Sequence, residues 1–215
     1  MATRESVKAT AFAGPSNVIS ISNIAIRRDY ANVNFMSGVS TTEDPRYPIG
    51  QFTMPAVITA EDREFWMTQL ADLPNELRTA THGWSESHFS TPYRDGGWSV
   101  RQLLHHIADS HMQAYARFKL ALTEDWPTIK PYDEAKWAEL HDAKDAPAEW
   151  SLELIESLHA RWGMLLQSLS EDQWKCGFKH PERGPMTLEQ VLALYDWHSK
   201  HHTAHITHLA RHKGW

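Results

Sequence analysis

The chain has a single cysteine, Cys176, among 215 residues. One thiol cannot close an internal disulfide, and a cysteine-based zinc cluster cannot be built from it. A reducing compartment fits this usage, and the cytoplasm is the expected location. Long hydrophobic runs are also missing, since no apolar stretch approaches the roughly 20 residues of a membrane-spanning helix. Basic charge is in short supply. Lys and Arg number 21 against 27 Asp and Glu, for a formal net charge of −6. The basic footprint of a nucleic-acid binder is therefore absent. Strand signals are weak along the whole chain, which leaves helix as the main structural prospect.

What is present is unusual in two residue types, with 14 histidines and 10 tryptophans. The tryptophans suit a core and the lining of a cleft. The histidines are unevenly spread, and five of them, His198, His201, His202, His205 and His208, crowd into one short stretch.

Residues 1–45 read differently from the rest. The first 40 carry Arg4, Lys8, Arg27 and Arg28 against Glu5 and Asp29, a balance of 4 − 2 = +2. Their apolar residues hold neither helix nor strand period, so a disordered leader is expected there. Met36 is an alternative start. A targeting peptide would also be basic, but no apolar segment followed by a small-residue cleavage site is evident.

The remainder, 46–215, reads as one helical domain. Thr59 can cap a helix that carries Phe65, Trp66, Leu70, Leu73 and Leu77, with Glu61 and Asp62 at its positive end. Pro74 should kink or split that helix. Ser99, with Gln102 in the capping-box position, should start a second helix bearing Leu103, Leu104, Ile107, Ala114, Phe118 and Leu122. Three prolines break 125–150 into short turns. Ser151 is the expected cap of a third helix. Thr187 with Gln190 should start a fourth, which Gly214 ends. Four amphipathic helices with long connections describe an all-α four-helix bundle.

On a helical wheel the last helix has one apolar face of Leu188, Val191, Leu192, Tyr195, Ile206 and Leu209. His202 falls near its middle, with His198 and His205 toward one side; His201 and His208 point further round, toward solvent. Imidazoles at i and i+4, such as His198 and His202, can converge on one metal ion. A lone histidine on such a face is more often a core residue with one hydrogen bond, so a third ligand is needed. The second helix offers His105, His106 and His111. Periodicity favours His111, at the middle of the stripe, over His106 at its edge and His105 outside it.

Longer strings bear on that choice. TPYRDGGWSVRQLLHHIADSHMQAYARFKLALTEDWPTIKPYDE (91–134), HPERGPMTL (180–188) and LYDWHSKHHTAHITHLARHKGW (194–215) resemble the YfiT-type metal-dependent hydrolases of the DinB-like superfamily. YPIGQF (47–52) is similar to the usual start of that family. The resemblance covers about residue 46 to the C-terminus. It implies a DinB-like four-helix bundle with partly helical connections, and one divalent metal ion per subunit, zinc first and nickel second. The ligands it implies are His106, the second histidine of LLHHIAD, and His198 and His202. It also implies a homodimer.

Three nitrogen ligands leave a coordination position open, as catalytic rather than structural sites do. Asp109 and His205 are the candidates for a base or an orienting group. The expected activity is hydrolysis of a small molecule by metal-activated water. The alternative is thiol S-transfer of the bacillithiol-transferase type, in which loops 91–98, 125–150 and 178–186 would hold the thiol through Tyr93, Arg94, Trp98, Tyr132 and Arg183. A non-catalytic metal-binding or damage-response protein is the third reading.

Overall fold

The computed structural model describes residues 44–215. The leader expected over 1–45 lies almost wholly outside the described residues. Four long helices, α1 (Ala60–Ala80), α3 (Val100–Thr123), α6 (Ala148–Gln167) and α8 (Leu188–Lys213), form the bundle. Short helices fill the connections: α2 (Glu86–Phe89), α4 (Glu134–Ala138), α5 (His141–Asp145) and α7 (Glu171–Trp174). The main helix contacts run α1–α8, α8–α3, α3–α6 and α6–α1. Consecutive long helices α1 and α3 therefore lie across the bundle's diagonal. The long connection of residues 81–99 gives the chain the reach for this.

Local sequence sets most of the boundaries. Thr59 caps α1 by accepting from the Asp62 backbone N–H, while the Asp62 carboxylate accepts from Thr59. Ser99 with Gln102 and Thr187 with Gln190 form the expected capping boxes of α3 and α8. Gly214 ends α8 at φ +72°, a conformation that costs glycine no Cβ clash.

Three expectations need correction. Of the two outcomes expected at Pro74, the split does not occur, because α1 runs through it to Ala80. The third long helix starts earlier than Ser151: its N-cap is Pro147, and Ser151 is a buried residue of its first turn whose hydroxyl is 2.6 Å from His105 Nδ1. Finally, 177–187 is an antiparallel hairpin, β1 (Gly177–His180) and β2 (Gly184–Thr187), pairing Phe178 with Met186. Four-residue strands without alternating apolarity give little signal in sequence. The preceding loop joins this hairpin, with Ile129 N–H donating to the Lys179 carbonyl and Lys179 N–H to the Pro127 carbonyl. The chain must pass close at Gly177, where a Cβ would sit 2.2 Å from the Met186 carbonyl oxygen and 2.8 Å from the Trp126 ring.

The core falls into two apolar clusters. One holds Leu70, Phe118, Trp162, Phe178, Leu188 and Leu192. The other holds Leu73, Leu77, Leu103, Ile107, Ile155, Ile206 and Leu209. The changeover occurs at the same level on three helices. It lies between Ala108 and Ala114 on α3, between Ile155 and Trp162 on α6, and between Tyr195 and Ile206 on α8. His111, His159, His198 and His202 occupy that level. The bundle thus carries a histidine layer between two greasy ends.

Candidate metal centre

Helix α3 brings His106 to the edge of the layer, from the stretch that also supplies Leu104 and Ile107 to the second cluster, and α8 brings His198 and His202, one turn apart. Each offers a ring nitrogen, and the three nitrogens lie within 4.8 Å of one another. His106 Nε2 and His198 Nε2 are 3.3 Å apart. Two nitrogens bound to one tetrahedral metal at roughly 2.0–2.1 Å would stand about 3.3–3.4 Å apart, so the spacing fits a shared ion. His202 Nδ1 is buried with no hydrogen-bond partner.

The rings are held neutral, as metal ligands must be. Burial is the first cause for all three, with the neighbouring imidazoles adding to it. It depresses His106 to about 4 and holds His198 and His202 well below the ordinary histidine value. A donor set of three neutral imidazoles suits zinc, nickel, copper or iron.

Other histidines take different places. His111 is fully buried; its Nδ1 is 2.8 Å from His159 Nε2 and its Nε2 is 3.2 Å from His198 Nδ1. The wheel was right about its central position, and that position puts it behind a candidate ligand. His105 lies outside the layer, between the Ser151 hydroxyl and the Ala146 carbonyl. His201, expected to face solvent, is 8% exposed and stacks on Trp197, because the entry segment covers it with Tyr47. His205 is buried, and its Nδ1–H donates to the His201 carbonyl at 3.1 Å. Its Nε2 is buried without a partner, and the edge-to-face ring of Tyr93 lies 4.3 Å away. His201, His202 and His205 also offer nitrogens within 4.8 Å of one another. That group shares His202 and draws on one helix alone, so the cross-helix set is the better cage. Asp109 is half-buried on α3 and makes no hydrogen bond to any of these histidines. Burial first, and Asp142 second, raise its carboxyl to about 6.

His159 escaped the sequence reading. Its signal was there, four residues after Ile155 and three before Trp162 on the buried stripe of α6, but a single histidine on an apolar face is common.

The three candidate ligands open onto a cleft of about 1170 Å³. Tyr93, Arg94, Trp98, Tyr132 and Arg183 all line it, so the three loops expected to form one pocket do converge. Arg117 lines it as well. Among the described residues, neither Arg117 nor Arg183 forms an ion pair, and Arg117 Nε is buried without a partner.

The DinB superfamily model matches residues 69–206. The chain belongs to this superfamily. It is 49% identical over 176 residues to the Bacillus subtilis protein named "Putative metal-dependent hydrolase YfiT", covering 81% of this chain and 99% of that one. A Bacillus cereus relative, named "Putative metal-dependent hydrolase", is 53% identical over 172 residues, 80% of this chain and 99% of its own. A solved structure superposes with a TM-score of 0.78 at 49% identity, over 80% of this chain and 98% of the other. It is described as "YfiT from Bacillus subtilis is a probable metal-dependent hydrolase with an unusual four-helix bundle topology". The DinB fold expected from the motif strings is thereby established, with the diagonal arrangement of α1 and α3 as its topological mark here.

Proposed function

We propose that this DinB-superfamily chain is a metal-dependent hydrolase. His106, His198 and His202 would hold one divalent ion, zinc or nickel. The observation that carries the reading is the pair of Nε2 atoms 3.3 Å apart at the floor of an open cleft. Such an ion supplies Lewis acidity and makes water a nucleophile near neutral pH. The names of the relatives support the same chemistry.

The chain's own residues do the rest. Trp98 packs on His106, with ring centroids 4.9 Å apart, and limits how far that ring can swing. Arg117 and Arg183 line the cleft without an ion pair of their own, beside the carboxylates of Asp133, Glu134 and Glu182, and such unpaired guanidinium groups can bind an anionic group on the substrate. Asp109 has a carboxyl raised to about 6 by burial, but neither it nor His205 lines the cleft, so the geometry assigns neither a base role. His205, depressed to about 3 by burial, is a hydrogen-bond acceptor rather than a resting base.

Thiol S-transfer is kept as a second reading. The observation in its favour is the size of the cleft and the five side chains that gather there. Both readings meet one experiment. Metal-loaded chain is assayed on anionic esters, amides and phosphoesters, and on electrophiles with and without bacterial thiols. Turnover without thiol, lost in His202→Ala, supports hydrolysis. Turnover only with thiol would replace hydrolysis by transfer.

A further inference from the structure

The histidine layer contains a hydrogen-bonded line that reaches from the backbone of α1 to a candidate ligand. Its first member is a carbonyl. In an α-helix the N–H of residue 74 would donate to the carbonyl of residue 70. Pro74 has no N–H, so the Leu70 carbonyl is left without its helix donor. His159 Nδ1 fills the gap at 2.6 Å.

From there each proton position is forced. A carbonyl oxygen only accepts, so His159 carries its proton on Nδ1. A neutral imidazole has one N–H, so His159 Nε2 must accept. Its partner at 2.8 Å is His111 Nδ1, which therefore donates. His111 Nε2 is then an acceptor, and His198 Nδ1 at 3.2 Å must donate to it. His198 is left with a bare lone pair on Nε2, the atom 3.3 Å from His106 Nε2. Trp162 meets both the His111 and His159 rings edge-on, and Tyr195 meets His111 in the same way. Those contacts hold the rings in line. Burial keeps the relay rings neutral.

Resting on the metal reading for its last link only, we propose that His159 and His111 are positioning residues: anchored on the carbonyl that Pro74 frees, they lock His198 in the Nδ1–H tautomer and aim its Nε2 lone pair at the metal. Without the anchor the line could run in the opposite sense, with every ring in the other tautomer and His198 Nε2 carrying a proton. Pro74, which ordinarily would count only as a helix defect, supplies the polarity.

The test reads tautomers in metal-free chain. Long-range ¹H–¹⁵N correlation on histidine-labelled protein should find His159, His111 and His198 all protonated on Nδ1. In His111→Phe, which removes the acceptor, His198 should shift toward Nε2–H. Zinc affinity, measured by chelator competition, should fall about 10- to 100-fold. His111→Gln should restore most of both, because its amide can donate toward His159 and accept from His198. His159→Phe serves as a second break should His111→Phe fold poorly. Nε2–H on His198 in the wild-type chain overturns the proposal, and so does a His198 tautomer that ignores both substitutions. Because tautomers are read without metal, they decide the relay even where His202→Ala fails to release zinc.

Discussion

Acid should weaken the metal-free fold through His159, and the size of the effect can be worked from its surroundings. The ring is 3% exposed and both nitrogens are engaged. A second proton would face the His111 N–H, donor against donor. Burial accordingly depresses this imidazole to about 4 from an ordinary 6.5. Between those two values the unfolded chain binds a proton that the folded chain refuses. Stability is therefore full above pH 6.5 and is lost as pH falls toward 4. Moving from pH 7 to pH 5 removes about 2 kcal/mol through this one residue. His111, fully buried and also depressed, adds in the same direction. Asp109 opposes them, since its raised carboxyl favours the folded state as pH falls. Half-exposed as it is, screening limits its effect to about 1 kcal/mol, so the histidines win. A domain of this size has about 5–15 kcal/mol in hand, and a net loss of this order is readily measured. The assay is urea unfolding of metal-free chain at pH 7 and pH 5, for wild type and His159→Phe. The variant should start less stable at pH 7, because the Leu70 carbonyl loses its donor, yet lose about 2 kcal/mol less on acidification. An equal loss in both proteins would refute the reasoning.

Other outcomes follow from the same structure. His202→Ala is expected to abolish tight metal binding, with His106→Ala and His198→Ala weakening it severely and His208→Ala leaving it nearly unchanged; elemental analysis of each purified variant decides this. Gly177→Ala should cost about 2–3 kcal/mol in thermal unfolding, because its Cβ would collide with the Met186 carbonyl rather than with a movable side-chain tip. The α6 face bearing Trp150, Leu154 and Met164, 64%, 43% and 75% exposed, is expected to be covered in a homodimer. Light scattering should give twice the monomer mass, and Trp150→Glu with Met164→Glu should halve it. A chain starting at Met36 should keep its melting temperature and metal content, and a clear drop would show that the leader packs on the domain.

Some of this protein was legible before any fold was known. The boundaries of α1, α3 and α8 rest on Thr59, Ser99, Thr187 and Gly214, whose effects reach only a turn along the chain. The i, i+4 pair His198 and His202 is a property of one helix, so a wheel finds it. Motif strings supplied His106, which periodicity alone would have passed over for His111. What the tertiary structure decided lies between helices. The burial of His201 depends on Tyr47, more than 150 residues away in sequence. The cleft exists because three loops converge, and no single loop carries that information. The relay joins Pro74 in α1, His159 in α6, His111 in α3 and His198 in α8. Local sequence fixes a residue's angle around its own helix axis; which neighbour that angle meets is set by the order and depth at which the helices pack, and the direction of a hydrogen bond is settled only when both partners are in place.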